Sequence, residues 1–178
     1  NPKMIQSGVL EKIAAVSSQN HGDARKAVEI LSKSANIAER EGTIITMELV
    51  DRAMEEIERD KYLAMIKNSP KQLQATLFSI ISSSLKSGRP LYTGEAYGTY
   101  RTFCAKIKMR ALSQRAFSDL ISELDMYGFI QARVLSHGRY GRTKQIIVNL
   151  PRTLSEKLKQ VVLMEFDLNQ VSSAVKTL

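Results

Sequence analysis

The stretch that decides the reading is Ala111–Leu150, ALSQRAFSDLISELDMYGFIQARVLSHGRYGRTKQIIVNL. Phe117, Leu120, Ile121 and Leu124 recur at i, i+3, i+4 and i+7, the spacing that puts one apolar stripe on a helix. Ser113 is placed to cap that helix, and Leu112 with Phe117 has the spacing of a hydrophobic staple. Gly128 supplies the left-handed residue that ends it. The period then changes. Ile130, Ala132 and Val134 alternate with Gln131 and Arg133, and Ile146, Val148 and Leu150 alternate likewise. That is strand spacing, and Pro151 stops the second strand. Between the strands, His137-Gly138-Arg139-Tyr140-Gly141-Arg142 makes a turn. The prediction is a helix followed by a hairpin.

Upstream, the sequence reads as helical. One helix is predicted from Ser7 to Gln19, with Val9, Leu10, Ile13, Ala14 and Val16 as its apolar set and Asn20-His21-Gly22 as its end. A second runs from Asp23 to Glu41, with Ala27, Val28, Leu31, Ala35 and Ala38 on one face and Gly42 as its stop. Thr46 caps a third, Ile45 and Val50 staple it, and Leu49, Val50, Ala53, Met54 and Ile57 form its inner face. It continues as a connector through Tyr62, Leu63 and Ile66. Pro70 restrains the residue before it away from helix, so the domain boundary is placed there, giving 1–69 and 70–178. Lys71–Lys86 then forms an amphipathic helix with Leu73, Leu77, Ile80 and Ile81 inward. Another follows from Gly94 to Met109, with Tyr97, Tyr100, Phe103 and Ile107 as core contacts. A closing helix spans Leu154–Leu168, and the polar tail is expected to fray.

Composition narrows the function. The single cysteine, Cys104, can form neither an internal disulfide nor a cysteine-based metal site, and His21 and His137 have no metal-ligand spacing. No metal and a reducing, cytoplasmic setting are expected. No apolar run approaches ~18 residues, so no membrane span is expected. No charged-then-apolar leader opens the chain, so secretion is unsupported. Net charge is +8, unevenly spread: residues 1–69 hold ten basic and eleven acidic side chains, and residues 70–178 hold sixteen and seven. A −1 part beside a +9 part favours a polyanion on one half only.

A helix followed by a hairpin with a basic tip is the outline of a winged helix, which sets its helix in a DNA major groove and its hairpin against the backbone. The fold class is thus mainly α: a three-helix bundle, then a winged helix (helix-turn-helix plus β-hairpin). With the apolar stripe inward, Gln114, Arg115, Ser118 and Ser122 lie outward near the helix start, where Arg pairs with guanine and Gln with adenine. In the wing, Gly138 and Gly141 permit a tight tip and close approach to phosphates. Arg139 and Arg142 bring charge, Tyr140 can lie along a sugar, and Arg133 and Lys144 extend the basic rim along the strands. Arg101, Lys106 and Lys108 are candidates for phosphate contacts, which add affinity without sequence information. A solvated helix face and a Gly-rich hairpin kept soluble by arginines are the bland alternatives. Arg25, in the first turn of its helix, reads from spacing alone as a surface arginine.

Together these segments resemble the C-terminal two-fifths of archaeal replication initiators, the origin-recognition-complex and cell-division-control-type ATPases of the AAA+ class. Gly22-Asp23-Ala24-Arg25-Lys26-Ala27 is similar to their sensor-2 motif, Asn68-Ser69-Pro70-Lys71-Gln72-Leu73 to their junction between lid and winged-helix domains, and Ala111–Val148 to their recognition helix and wing. The resemblance implies that residues 1–69 are an AAA+ lid, with Arg25 as the sensor-2 arginine that touches nucleotide phosphates. It also implies that residues 70–178 dock on duplex origin DNA in the nucleoid and help recruit the replicative helicase, with other initiator subunits as further partners. The sequence departs from the family in lacking a G-x-x-x-x-G-K-[ST] phosphate loop and paired Mg²⁺-binding acids. The chain is therefore expected to be a fragment that needs no cofactor itself and hydrolyses no ATP, with ATP or ADP and Mg²⁺ belonging to an upstream ATPase core. Two other classes remain open at this point: a free-standing winged-helix transcription regulator whose N-terminal helices dimerise, and a protein-interaction winged helix that never touches DNA.

Overall fold

The computed structural model describes residues 4–18, 24–136 and 142–166, with only the backbone of Arg142. The turn at 19–23, the wing tip at 137–141 and the tail from 167 onward lie outside the described residues. The chain divides into two compact units, Asn1–Lys61 and Tyr62–Leu178. The division falls inside a helix, ahead of the Pro70 break. The reason is packing: Tyr62, Leu63, Met65 and Ile66 belong to the second unit's core, so the connector is part of that unit.

The first unit holds α1 (Val9–Ser18), α2 (Ala24–Glu41) and most of α3 (Met47–Lys67). Its core is aliphatic, centred on Val9, Ile13, Ile30, Ile37, Leu49 and Val50. Thr46 caps α3 as expected, its Oγ1 accepting the Leu49 N–H at 3.3 Å. Four expected inner residues point out. Leu10 and Val28 are 54% and 66% exposed, and Ala14 and Ala35 are exposed too. On α2 the buried set is Ile30, Ser34, Ile37 and Ala38. Two overlapping stripes compete on this helix, and the one carrying two isoleucines removes more apolar area from water. Ser34 is tolerated inside because its hydroxyl donates to the Ile30 carbonyl at 2.8 Å.

The second unit runs α4 (Lys71–Ser87), β1 (Leu91–Tyr92), α5 (Thr93–Lys106), α6 (Gln114–Met126), β2 (Ile130–Ser136), β3 (Arg142–Val148) and α7 (Arg152–Glu165). Helix α4 is its axis, packed against α5, α6 and α7. Leu73 through Ile81 are all buried, so α4 is not the one-faced helix the sequence suggests. Several of its inward polar groups find backbone partners, whereas Gln74 Oε1 and Ser82 Oγ find none among the described residues. Thr76 and Ser79 hydroxyls donate to carbonyls one turn back. The Gln74 amide donates to the carbonyls of Ile66, Lys67 and Ser69 at 3.0–3.2 Å, which caps the end of α3.

The sheet is antiparallel with order β1-β3-β2. Strand β1, two residues long, pairs Leu91 with Ile146 and Tyr92 with Gln145; nothing in the sequence marks so short a strand. The hairpin register runs from Ile130↔Val148 to Ser136↔Arg142. Three helix ends close on a left-handed glycine, Gly42, Gly88 and Gly128, and α5 closes on Lys108 at φ 54°.

Candidate nucleic-acid interface

Helix α6 is built as its sequence requires. The Ser113 hydroxyl accepts the Ala116 N–H at 3.3 Å and caps its start. Phe117, Ile121 and Leu124 are fully buried, and Phe117 packs between Tyr97 and Tyr100 at ring-centroid distances of 5.4 and 4.8 Å. At the far end, Phe129 N–H donates to the Leu124 carbonyl at 3.1 Å past Gly128, whose φ of 79° favours glycine. Anchoring one face leaves the opposite one outward. Gln114, Arg115 and Ser122 are exposed, and Ser118 is half-buried.

The turn before α6 is clamped. Met109 N–H donates to the Cys104 carbonyl at 2.9 Å and Lys108 N–H to the Ala105 carbonyl at 3.3 Å. This pairing closes a helix with its turning residue left-handed, a place usually held by glycine. Gln72 of α4 donates its side-chain amide to the Arg110 carbonyl at 2.9 Å. Tyr97 donates to the Leu112 carbonyl at 2.8 Å. The Tyr100 hydroxyl accepts the Leu112 N–H at 3.0 Å and donates to Gln72 Oε1. Burial pushes the Tyr100 pKa up to about 12, so the hydroxyl stays a neutral donor. The sequence reading placed Tyr97 and Tyr100 in the core and did not single out Gln72. The signal was present in part, because a buried tyrosine hydroxyl needs a partner.

The hairpin carries a correction. Arg133 and Lys144 do not share one rim. Arg133 pairs with Gln145 and Lys144 with Val134. Since successive residues of a strand face opposite ways, the two cations lie on opposite faces. Arg133 is exposed, whereas Lys144 is half-buried. Lys144 turns to α6, its ammonium donating to the Ser118 carbonyl at 2.7 Å and to Ser122 Oγ at 2.6 Å. The inward alternation also fails beyond Ala132, since Val134 is 60% exposed where the hairpin extends past the core. Arg139, Tyr140 and Gly141, with Gly138 and His137, lie outside the described residues, and so does the Arg142 side chain.

Charge pairing separates the cations. Among the described residues, no ion pair involves Arg101, Lys108, Arg110, Arg115 or Arg133, and all five are exposed. Arg110 was not among the residues singled out from sequence; its carbonyl is held by Gln72 while its side chain sits in the clamped turn. In the first unit, Arg25 is exposed in the first turn of α2. Among the described residues there is no cluster of His, Cys, Asp and Glu suited to a metal, and no helix is long and apolar enough to cross a membrane. Cys104 is buried, and burial pushes its thiol pKa up.

This arrangement has counterparts. The family model described as the Cdc6 AAA+ ATPase-type lid domain matches residues 1–55, and that of the CDC6 C-terminal winged helix domain matches residues 64–157. An ORC1-type DNA replication protein of Pyrococcus abyssi is 44% identical over 150 residues, 84% of this chain and 36% of that protein. ORC1-type DNA replication protein 1 of Methanosarcina acetivorans is 40% identical over 171 residues, 94% of this chain and 41% of that one. The chain therefore spans about two-fifths of the length of these relatives. The solved structure of the Aeropyrum pernix ORC1 protein in complex with DNA is 32% identical with a TM-score of 0.79, over 96% of this chain and 44% of that one. A winged-helix match over more than half of the chain, preceded by a lid match, makes this chain a member of the Cdc6/ORC1 family.

Proposed function

We propose that this chain is the lid and winged-helix part of a replication initiator, and that its second unit binds duplex DNA. The observation that carries the reading is the exposed pair Gln114 and Arg115 at the capped start of a helix whose other face is buried, beside a hairpin and among cations without carboxylate partners. That helix end enters the major groove, where Arg115 and Gln114 meet base edges. Arg101, Lys108, Arg110 and Arg133 neutralise phosphates and supply affinity. The wing tip, with Arg139, Tyr140 and Arg142, runs along the neighbouring backbone. The ORC1 relatives, and the Aeropyrum pernix ORC1 structure in complex with DNA, support this reading.

The remaining roles rest on kinship alone. Arg25 acts as the sensor-2 arginine toward ATP or ADP with Mg²⁺ held by an ATPase core, and the replicative helicase and other initiator subunits are the protein partners. The setting is the cytoplasm, at the nucleoid. The 178 residues contain no phosphate loop, so the chain hydrolyses no ATP; turnover that Arg25→Ala abolishes would overturn this.

Fluorescence anisotropy of a labelled duplex at several salt concentrations tests the DNA reading. Expected are binding that weakens steeply with salt, a slope smaller by roughly 0.9 for each phosphate contact removed in Arg139→Ala/Arg142→Ala, and loss of sequence preference in Arg115→Ala. Equal binding by all three proteins, or no binding by any, would point to a protein partner instead.

A further inference from the structure

Lys144 is a basic residue of the hairpin that the DNA reading, taken at face value, would spend on a phosphate. Its surroundings assign it otherwise. The ammonium has three donors. One goes to the Ser118 carbonyl at 2.7 Å and one to Ser122 Oγ at 2.6 Å, both on α6. Ser122 in turn donates to the same Ser118 carbonyl at 3.3 Å, so the hydroxyl is oriented to accept from the lysine. The backbone of Lys144 is held as well. Its N–H donates to Thr93 Oγ1 at 3.0 Å, and the Thr93 hydroxyl donates to the Lys144 carbonyl at 3.4 Å. Thr93 is buried at the start of α5, one residue past the last β1–β3 pair, so its side chain continues the pairing that the strand ends. Lys144 is half-buried, and burial draws its pKa down against the pull of Asp119 and Asp125. One residue thus joins β3, the first turn of α5 and the middle of α6.

We propose, resting on the DNA reading above, that Lys144 is a positioning residue: it braces the hairpin against the recognition helix and sets the angle at which Arg115 and the wing engage a duplex together. Reaching a phosphate would break both bonds to α6. A compact ammonium suits two acceptors under 3 Å away, which a planar guanidinium does not.

The test uses the 178-residue chain, a duplex selected by it from a random-sequence library, and a scrambled duplex of equal length. Lys144→Arg and Lys144→Met are compared with the parent by anisotropy across salt concentrations. Positioning predicts that both variants keep the parent's log–log salt slope while the ratio of selected to scrambled affinity falls about tenfold, near the worth of one base contact. A phosphate contact predicts the opposite: Lys144→Arg behaves as the parent, and Lys144→Met lowers the slope by roughly 0.9 and weakens both duplexes alike. That outcome overturns the proposal.

Backbone ¹⁵N relaxation without DNA is the second readout. Amides 131–135 and 143–147 should gain motion relative to α6 in both variants, and in Ser122→Ala, which keeps the lysine and removes one acceptor. Unchanged hairpin order in all three overturns the brace. Failure of the DNA reading looks different, because the parent then selects no duplex, and the relaxation data still decide the brace. Should Lys144→Met not fold, Lys144→Arg and Ser122→Ala carry both readouts.

Discussion

The two units differ in where their cations are paired. In the first, four cations are matched to carboxylates: Lys12 with Asp51, Lys33 with Asp60 and Glu56, Arg52 with Glu41, and Arg59 with Asp60 and Glu56, at 2.6–3.9 Å. In the second, the described ion pairs are Lys71–Glu165, Arg89–Glu95 and Arg152–Glu156, while the cations around α6 have none. The cores differ in parallel. The first is aliphatic; the second is rich in aromatic rings whose hydroxyls hold the turn before α6. The contrast separates a unit in which several cations are neutralised by carboxylates from one in which the described cations around α6 are not. Like charges without counter-ions repel one another, so cations that stay unpaired carry a cost in stability.

The largest expected effect breaks the second core alone. Phe117→Ala leaves a void among Tyr97, Tyr100 and Ile121 and should destabilise the second unit by about 3–5 kcal/mol. Denaturant unfolding followed by amide exchange should show lost protection in 71–165 with residues 9–57 little changed; equal loss in both would dissolve the contrast. Next comes the clamp. Tyr100→Phe strips the Leu112 N–H of its acceptor and should cost about 1–3 kcal/mol. The effect has a pH signature. The unfolded tyrosine ionises near 10, the folded one near 12. Its contribution is whole below pH 10 and is lost as pH rises toward 12, so the difference in unfolding free energy between parent and Tyr100→Phe should narrow across that window.

Lys108→Gly sharpens the comparison by trading stability against binding. Relief of the left-handed backbone should raise the thermal midpoint, a gain of about 1 kcal/mol, while the salt slope of duplex binding falls by roughly 0.9. A stabilised variant that binds with the parent's slope would remove Lys108 from the interface. Smallest is the surface of the first unit. Lys33→Ala should cost at most about 1 kcal/mol, because the pair is exposed on its Asp60 side. The Lys33 ammonium holds the Asp60 carboxyl below its ordinary value of 3.8. The stability it adds is present above that value and lost as pH falls below it, which acid titration of parent and variant should reveal.

Much of the fold was legible because much of it is local. The 3.6-residue period of Phe117, Ile121 and Leu124, the Ser113 and Thr46 caps, and the glycines at 42 and 128 all act within a turn or two of chain, and each is found in place. Where reading failed, two local solutions were nearly equal or the deciding partner was distant. Val28 and Ile30 offered alternative stripes on α2, and only the packing of the bundle chose between them. Strand β1 exists because β3 offers it an edge. Lys144 shares its strand face with Ile146, so alternation alone already pointed it inward; it read as part of the rim because a cation is ordinarily exposed, and its acceptors on α6 lie more than twenty residues away in sequence.

The sequence by itself determined the succession of helices and of the two hairpin strands, the two-part charge, the amphipathic helix α6 with its exposed Gln114 and Arg115, and the kinship that these carry. Those are properties of neighbours along the chain, and short-range sterics, capping and periodicity suffice to express them. The tertiary structure alone decided that α4 is buried all round, that Gln72 and two tyrosines clamp the turn before α6, and that Lys144 faces the helix rather than the solvent. Each of these depends on which groups meet across tens of residues of chain, where burial and the satisfaction of polar atoms are settled by the whole packing and not by any one segment.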